Sequence, residues 1–239
     1  MIAFELAVQD AAGIGIAGRV GPDRIELCSA LALGGLTPSA ALIEAAVAAT
    51  VPVHVLIRPR AGDFDYDDQE RAVIVRDVRW ARDAGAAGVV VGATRGGRID
   101  AELVRAVVAE AGDAEVTFHR ALDVVADPAA ALREVAELGV ARVLTSGGAD
   151  HAADGRETLA RLVRIAAGRI EVMAGSGVTR ATAADILATG VDALHASAKA
   201  LRAGAGLALG SAGDAAREVT DEAEAVALRR IVADARARR

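Results

Sequence analysis

The 239-residue chain has a single cysteine, Cys28, so an internal disulfide is impossible and a reducing, cytoplasmic setting is expected. Aromatic residues make up only 2%, leaving alanine, valine and leucine to fill the core. No apolar run reaches the roughly 18 residues of a membrane-spanning helix, and the mean hydropathy of +0.34 reflects alanine. No basic segment followed by an apolar stretch precedes the first strand-like run, so no secretory leader is expected. The net charge of -6 comes without a basic stripe, which argues against nucleic acid as a partner. No Gly-x-Gly-x-x-Gly follows the first strand, which weakens the case for a doubly wound open sheet.

Short β-branched runs are present in their place, each followed by an alanine-rich amphipathic segment. The expected strands are Ala3 to Val8, Arg24 to Cys28, Val53 to Arg58, Gly88 to Gly92, Glu115 to Arg120, Arg142 to Gly147, Ile170 to Gly175 and Leu194 to Ser197. The expected helices between them are Pro38 to Ala49, Asp68 to Ala84, Ala101 to Glu110, Pro128 to Leu138, Glu157 to Ala166 and Thr182 to Ala188. Gly85, Gly139 and Gly190 stand at C-cap positions. About eight such units in about 250 residues is the size of a (β/α)8 TIM barrel with parallel strands. A single domain over 1–239 is expected, with a glycine- and alanine-rich loop from Ala203 to Ala216. Thr220 should cap a last helix that opens with Asp221, Glu222 and Glu224 and closes with Arg236, Arg238 and Arg239.

Strand parity separates what faces the helices from what lines the barrel. Ile25 and Leu27, Val53, Val55 and Ile57, Val116 and Phe118, Val172 and Ala174, and Leu194 and Ala196 suit the helix-facing side. The opposite parity carries Glu5, Glu26, Cys28, His54, Arg58, Thr117, His119, Thr145, Glu171, Met173, His195 and Ser197. Cys28, Arg58, His119, Thr145, His195 and Ser197 fall at C-terminal strand ends, where barrel enzymes build their sites. His54, deeper than Arg58, reads as a core histidine, and His151 as an exposed loop residue. Glu171 and Met173 read as a partnered carboxylate and a gap filler of the lower layers. Ala174-Gly175-Ser176-Gly177-Val178 and the loop carrying Ser197 follow the last two strands, where glycine lets backbone amides approach an anion. Thr145 and Ser146 add hydroxyls beside them.

Five stretches carry a resemblance. They are Asp-Arg-Ile-Glu-Leu-Cys-Ser-Ala-Leu-Ala-Leu-Gly-Gly-Leu-Thr-Pro-Ser from Asp23 to Ser39, Ile57-Arg58-Pro59-Arg60-Ala61-Gly62-Asp63-Phe64, Val116-Thr117-Phe118-His119-Arg120-Ala121, Leu144-Thr145-Ser146-Gly147, and Met173-Ala174-Gly175-Ser176-Gly177-Val178. In this order and spacing, from Glu5 to about Ser197, the chain resembles the CutC copper-homeostasis family. The resemblance implies a cytoplasmic barrel, commonly a homo-oligomer, associated with copper tolerance or copper binding. Two departures stand out: Ala7 replaces a cysteine found in many members, and Ser176 interrupts a run of glycines. Cu(I) prefers soft ligands, and with one thiol an intramolecular two-thiolate site is impossible.

Two functions are therefore expected from the chain. In the first, a copper-homeostasis protein binds copper through Cys28, helped by His119 or His195. In the second, an enzyme acts on a small anionic or polyhydroxylated metabolite. There Arg58 and the Gly175 to Gly177 loop, with Thr145, Ser146 and Ser197, hold the anion, His119 moves a proton, and Glu26 is its partner or a second acid/base. Arg60, Asp63 and Arg120 would order the mouth. Neither needs an organic cofactor, a membrane or nucleic acid.

Overall fold

The computed structural model describes residues 2–204 and 216–238. Eight parallel strands close into a barrel: Ala3–Val8, Arg24–Leu27, Val53–Leu56, Gly88–Val91, Glu115–Phe118, Arg142–Thr145, Glu171–Ala174 and Ala193–Ala196. The first strand pairs with both the second and the eighth, with Glu5 opposite Arg24 on one side and His195 on the other. Helices α1 (Ala11–Val20), α2 (Ala40–Val47), α3 (Asp68–Asp83), α4 (Ala101–Ala111), α5 (Pro128–Glu137), α6 (Arg156–Ala166), α7 (Ala183–Leu187) and α8 (Glu222–Ala237) alternate with the strands. The fold is the expected (β/α)8 barrel.

Local chemistry sets the helix starts. The Asp67 side chain accepts from the Glu70 amide and the Glu70 side chain from that of Asp67, a capping box that opens α3. Pro128 stands in the first turn of α5 behind the Asp127 cap, where its missing N–H costs nothing. Asp221, rather than Thr220, caps α8, because Thr220 is still paired in the hairpin formed by Lys199–Arg202 and Arg217–Thr220. The loop expected over Ala203 to Ala216 lies, from 205 to 215, outside the described residues.

The apolar strand faces pack on the helix ring as parity requires, with Ile25, Leu27, Val55, Val116, Phe118, Val172 and Leu194 in the main core. The sixth strand departs from the expected parity. Arg142 and Leu144 point into the barrel, where Arg142 bonds Thr117 and Leu144 packs on Met173, so Thr145 turns away. Among the described residues no helix is long and apolar enough to cross a membrane.

Candidate functional site

The lower barrel is filled by charge. Arg24 Nε donates to Glu5 Oε2 at 2.6 Å and its Nη2 to Glu171 Oε1 at 2.8 Å. Arg142 approaches the same Glu171 oxygen at 2.8 Å and donates to Glu115 Oε2 at 2.9 Å and Thr117 Oγ1 at 3.0 Å. Burial works to raise the Glu5 pKa, but the His195 hydrogen bond and the Arg24 charge hold it well below the ordinary carboxylate value. Glu171 is held low in the same way, its burial outweighed by Arg142 and Arg24. His54 sits in this layer, 3.7 Å from Glu115, too far for a hydrogen bond. Burial lowers its pKa to about 4, so it is neutral.

Above this layer opens a cavity of about 640 Å³ at the C-terminal mouth. Of the expected site residues, Glu26, Arg58, His119, Arg120, Ser176, Gly177, His195 and Ser197 line it. Three elements bring Glu5, Glu26 and His195 together, with one ligand-type atom of each within 4.8 Å of the others. His195 Nδ1 lies 2.7 Å from Glu5 Oε1. Glu26 is 6% exposed, faces the cavity, and has no hydrogen bond or ion pair among the described residues. Burial raises its pKa to about 7, His195 opposing and Glu5 reinforcing the shift. Burial disfavours charge on His195, but Glu26 and Glu5 outweigh it and raise its pKa.

Across the mouth, Arg58 donates from Nη1 to the Leu33 and Gly35 carbonyls and from Nη2 to that of Gly62. The bonds anchor two loops, and among the described residues no carboxylate pairs with the guanidinium. His119 Nδ1 accepts the Ala121 N–H at 3.1 Å. Burial and then the Arg58 charge lower its pKa to about 3, so the ring is neutral with its proton on Nε2. Phe64 stands beside both, 4.7 Å between ring centroids from His119 and 5.2 Å from the Arg58 guanidinium carbon.

The other expected residues lie elsewhere. Cys28 is fully buried among Leu31, Leu56 and Val90, its thiol 3.6 Å from the Val8 carbonyl. Burial and then Glu26 raise its pKa. Among the described residues the one group of His, Cys, Asp and Glu spaced to hold a metal is Glu5, Glu26 and His195; neither Cys28 nor His119 belongs to it. Thr145 and Ser146 serve a carboxylate of the chain itself. Asp123 Oδ1 accepts from Thr145 Oγ1 at 2.5 Å, and Asp123 takes the Ser146 and Gly148 amides and the Ser146 hydroxyl. Arg120 donates to Asp123 at 2.9 Å and to Ser146. Arg60 pairs with Glu70 and Asp63 and donates to the Asp65 carbonyl, holding the loop that carries Phe64. Ser176, at φ 85°, turns its hydroxyl to the Asp150 carbonyl, 2.6 Å away. Gly175 does not line the cavity, and exposed His151 packs on Gly177 instead.

Sequence reasoning passed over Asp123, Phe64 and the far wall, where Asp221 and Glu224 from the start of α8 line the cavity and Glu224 pairs with Arg180. Asp123 lies in the 3₁₀ turn Arg120–Val124, and no local pattern distinguishes it from a surface aspartate.

A family model described as the CutC family matches residues 2–200. A CutC of Sinorhizobium medicae is 49% identical over 187 residues, covering 78% of this chain and 76% of its own. That of Caulobacter vibrioides strain NA1000 is 44% identical over 187 residues, with 78% and 76% covered. Among solved structures, a proposed copper homeostasis protein CutC from Streptococcus agalactiae superposes with a TM-score of 0.78 at 29% identity, over 82% of this chain and 99% of its own. An aldolase, QR15, at 15% identity and a TM-score of 0.60 over 81% of this chain and 89% of its own, shares the fold alone.

Proposed function

The chain belongs to the CutC family, and from that premise we propose that it takes part in copper homeostasis, the role proposed for its S. agalactiae relative, through a small polar ligand held at the barrel mouth. Glu26 supports this reading most directly. A carboxylate that is nearly buried, unpartnered and open to a cavity is costly to keep unless something placed there uses it. With a pKa of about 7, Glu26 is poised both to take and to give a proton, and His195 beside it shares the exchange. The test is calorimetric titration with sugar phosphates, small carboxylates and polyols. Binding that Glu26→Gln keeps, with turnover that it loses, supports the proposal; a panel that never binds overturns it.

Copper as the ligand itself is the second reading, carried by Cys28 as the one thiol. Its neighbours Leu31, Leu56 and Val90 offer no second soft donor. Glu5, Glu26 and His195 form an oxygen and nitrogen set suited to a harder ion than Cu(I), and Glu5 already balances Arg24. Cu(I) binding is therefore expected to be weak beside two-thiolate proteins and mostly lost in Cys28→Ala, which competition against a Cu(I) chelator measures. The same proposal includes a single domain, a cytoplasmic location and a homo-oligomer, the last read by light scattering.

A further inference from the structure

Glu26 and His195 stand together on the cavity floor, each with a donor atom that nothing uses. Of the unpartnered polar groups in the upper barrel, Arg58 Nε and His119 Nε2 are sealed from solvent. The Glu26 carboxylate is not sealed, and its side chain lines the cavity. His195 Nδ1 lies 2.7 Å from Glu5 Oε1. Arg24 takes the other Glu5 oxygen and helps to keep that carboxylate ionised, so Oε1 can only accept and Nδ1 must carry the proton. The remaining ring nitrogen, Nε2, has no hydrogen bond among the described residues, is not sealed, and belongs to a side chain that lines the cavity. A buried carboxylate on one nitrogen and an opening at the other is how proteins fix an imidazole as a metal ligand.

Spacing and charge point the same way. One donor-type atom from each of Glu5, Glu26 and His195 lies within 4.8 Å of the others, yet no hydrogen bond or ion pair joins Glu26 to either neighbour. Such a gap holds one atom, because a cation about 2.0–2.2 Å from two donors spans about 4 Å. Arg24 and Arg142 are already matched by Glu5, Glu171 and Glu115. An ionised Glu26 therefore has no paired counter-charge among the described residues.

We infer, resting on the reading of the mouth as a ligand site, that Glu26 and His195 Nε2 bind a divalent cation of the Zn²⁺ type and that Glu5 positions the ring. A carboxylate with an imidazole suits Zn²⁺ better than Mg²⁺ and is a poor match for Cu(I), which prefers sulfur. Two protein ligands leave the other positions of the ion open to the cavity, within reach of a polar ligand there. On binding, the cation takes the place of any proton on Glu26 or Nε2, and that proton leaves to solvent.

The metal alone tests this. The full chain, stripped with a chelator, is titrated with Zn²⁺, Mn²⁺ and Mg²⁺ by calorimetry. One Zn²⁺ should bind per chain, more tightly than Mn²⁺ and far more tightly than Mg²⁺. Glu5→Gln should lose about 10- to 100-fold in Zn²⁺ affinity, and Glu26→Gln and His195→Gln, which remove ligands, at least as much. His151→Asn, at the exposed histidine, should lose nothing. Nitrogen NMR should show Zn²⁺ shifting His195 Nε2 while Nδ1 keeps its proton, a signature that a merely structural Glu5 would not give. Circular dichroism confirms that each variant is folded; if His195→Gln unfolds, the wild-type NMR and Glu26→Gln decide. No Zn²⁺ binding, affinity unchanged in Glu26→Gln, or loss in His151→Asn overturns the inference. If sugar phosphates, small carboxylates or polyols bind the stripped protein while Zn²⁺ does not, the reading of the mouth survives and the cation site falls; if nothing binds, both fall.

Discussion

His119 shows how one residue's chemistry is set by its neighbours. Its ring lies over Gly92, where a Cβ would fall 2.2 Å from the ring atoms, so only glycine leaves the imidazole its place. Gly92→Ala should push the ring out, lowering stability by about 1–3 kcal/mol and weakening any ligand bound at the mouth; thermal unfolding and His119 NMR shifts would record both. Cys28 is the opposite case, a reactive residue type made inert by its surroundings. Buried and with a raised pKa, it should resist a disulfide reagent at pH 8 in the native protein and react fully once denatured. Fast native labelling would show that the Leu31 and Leu56 cover opens readily. Parity along the strands was enough to bring Glu26, Arg58, His119 and His195 to one mouth. Partners were not legible there, since the carbonyls that hold Arg58 come from loops at Leu33, Gly35 and Gly62 whose course no periodicity reports.

At the scale of elements, the loop after the sixth strand is organised around a carboxylate rather than awaiting an anion. Asp123 accepts from two amides, two hydroxyls and Arg120. Asp123→Ala strands those donors together and should cost about 2–4 kcal/mol, read as a lower urea midpoint with an unchanged slope. Most strands and helices were legible from their apolar periods and caps; the first strand has the expected bounds, and the other seven barrel strands stop one or two residues short of the sequence reading. Helix α1 was not legible, because Gly13, Gly15 and Gly18 lower its propensity. It forms because Asp10 caps it, Ile14 and Ala17 are buried, and Gly13 allows close approach to Thr220. The pairing of Lys199–Arg202 with Arg217–Thr220 was illegible for another reason: its register joins segments far apart in sequence.

Over the whole molecule, the lower barrel interior is a circuit of ions, with Leu144 packed on Met173 beside it, and this too escaped the sequence, which shows charges on strands without showing which neutralises which. Arg24→Met would leave Glu5 and Glu171 each short of a partner and should destabilise by about 3–5 kcal/mol. Acid should act through the histidines. His119 and His54 have folded pKa values of about 3 and 4 against 6.5 unfolded. Below pH 6.5 the unfolded chain therefore takes up protons that the fold refuses, and each histidine costs about 1.4 kcal/mol per pH unit until its folded pKa is neared. Glu26 opposes them, because its pKa is raised to about 7 from 4.5; its stabilisation is present below pH 4.5 and is lost as pH rises towards 7. With two histidines against one glutamate, the melting temperature should fall between pH 6.5 and 4.5, and Glu26→Gln should steepen that fall; a flat profile would refute the neutral-histidine assignment. The cavity wall built by Asp221 and Glu224 lies beyond the span matched by the family model. Substitutions there can drift without disturbing the barrel strands or the charges inside them, so chains that share the barrel can keep the same charged floor and differ in the wall that rises above it.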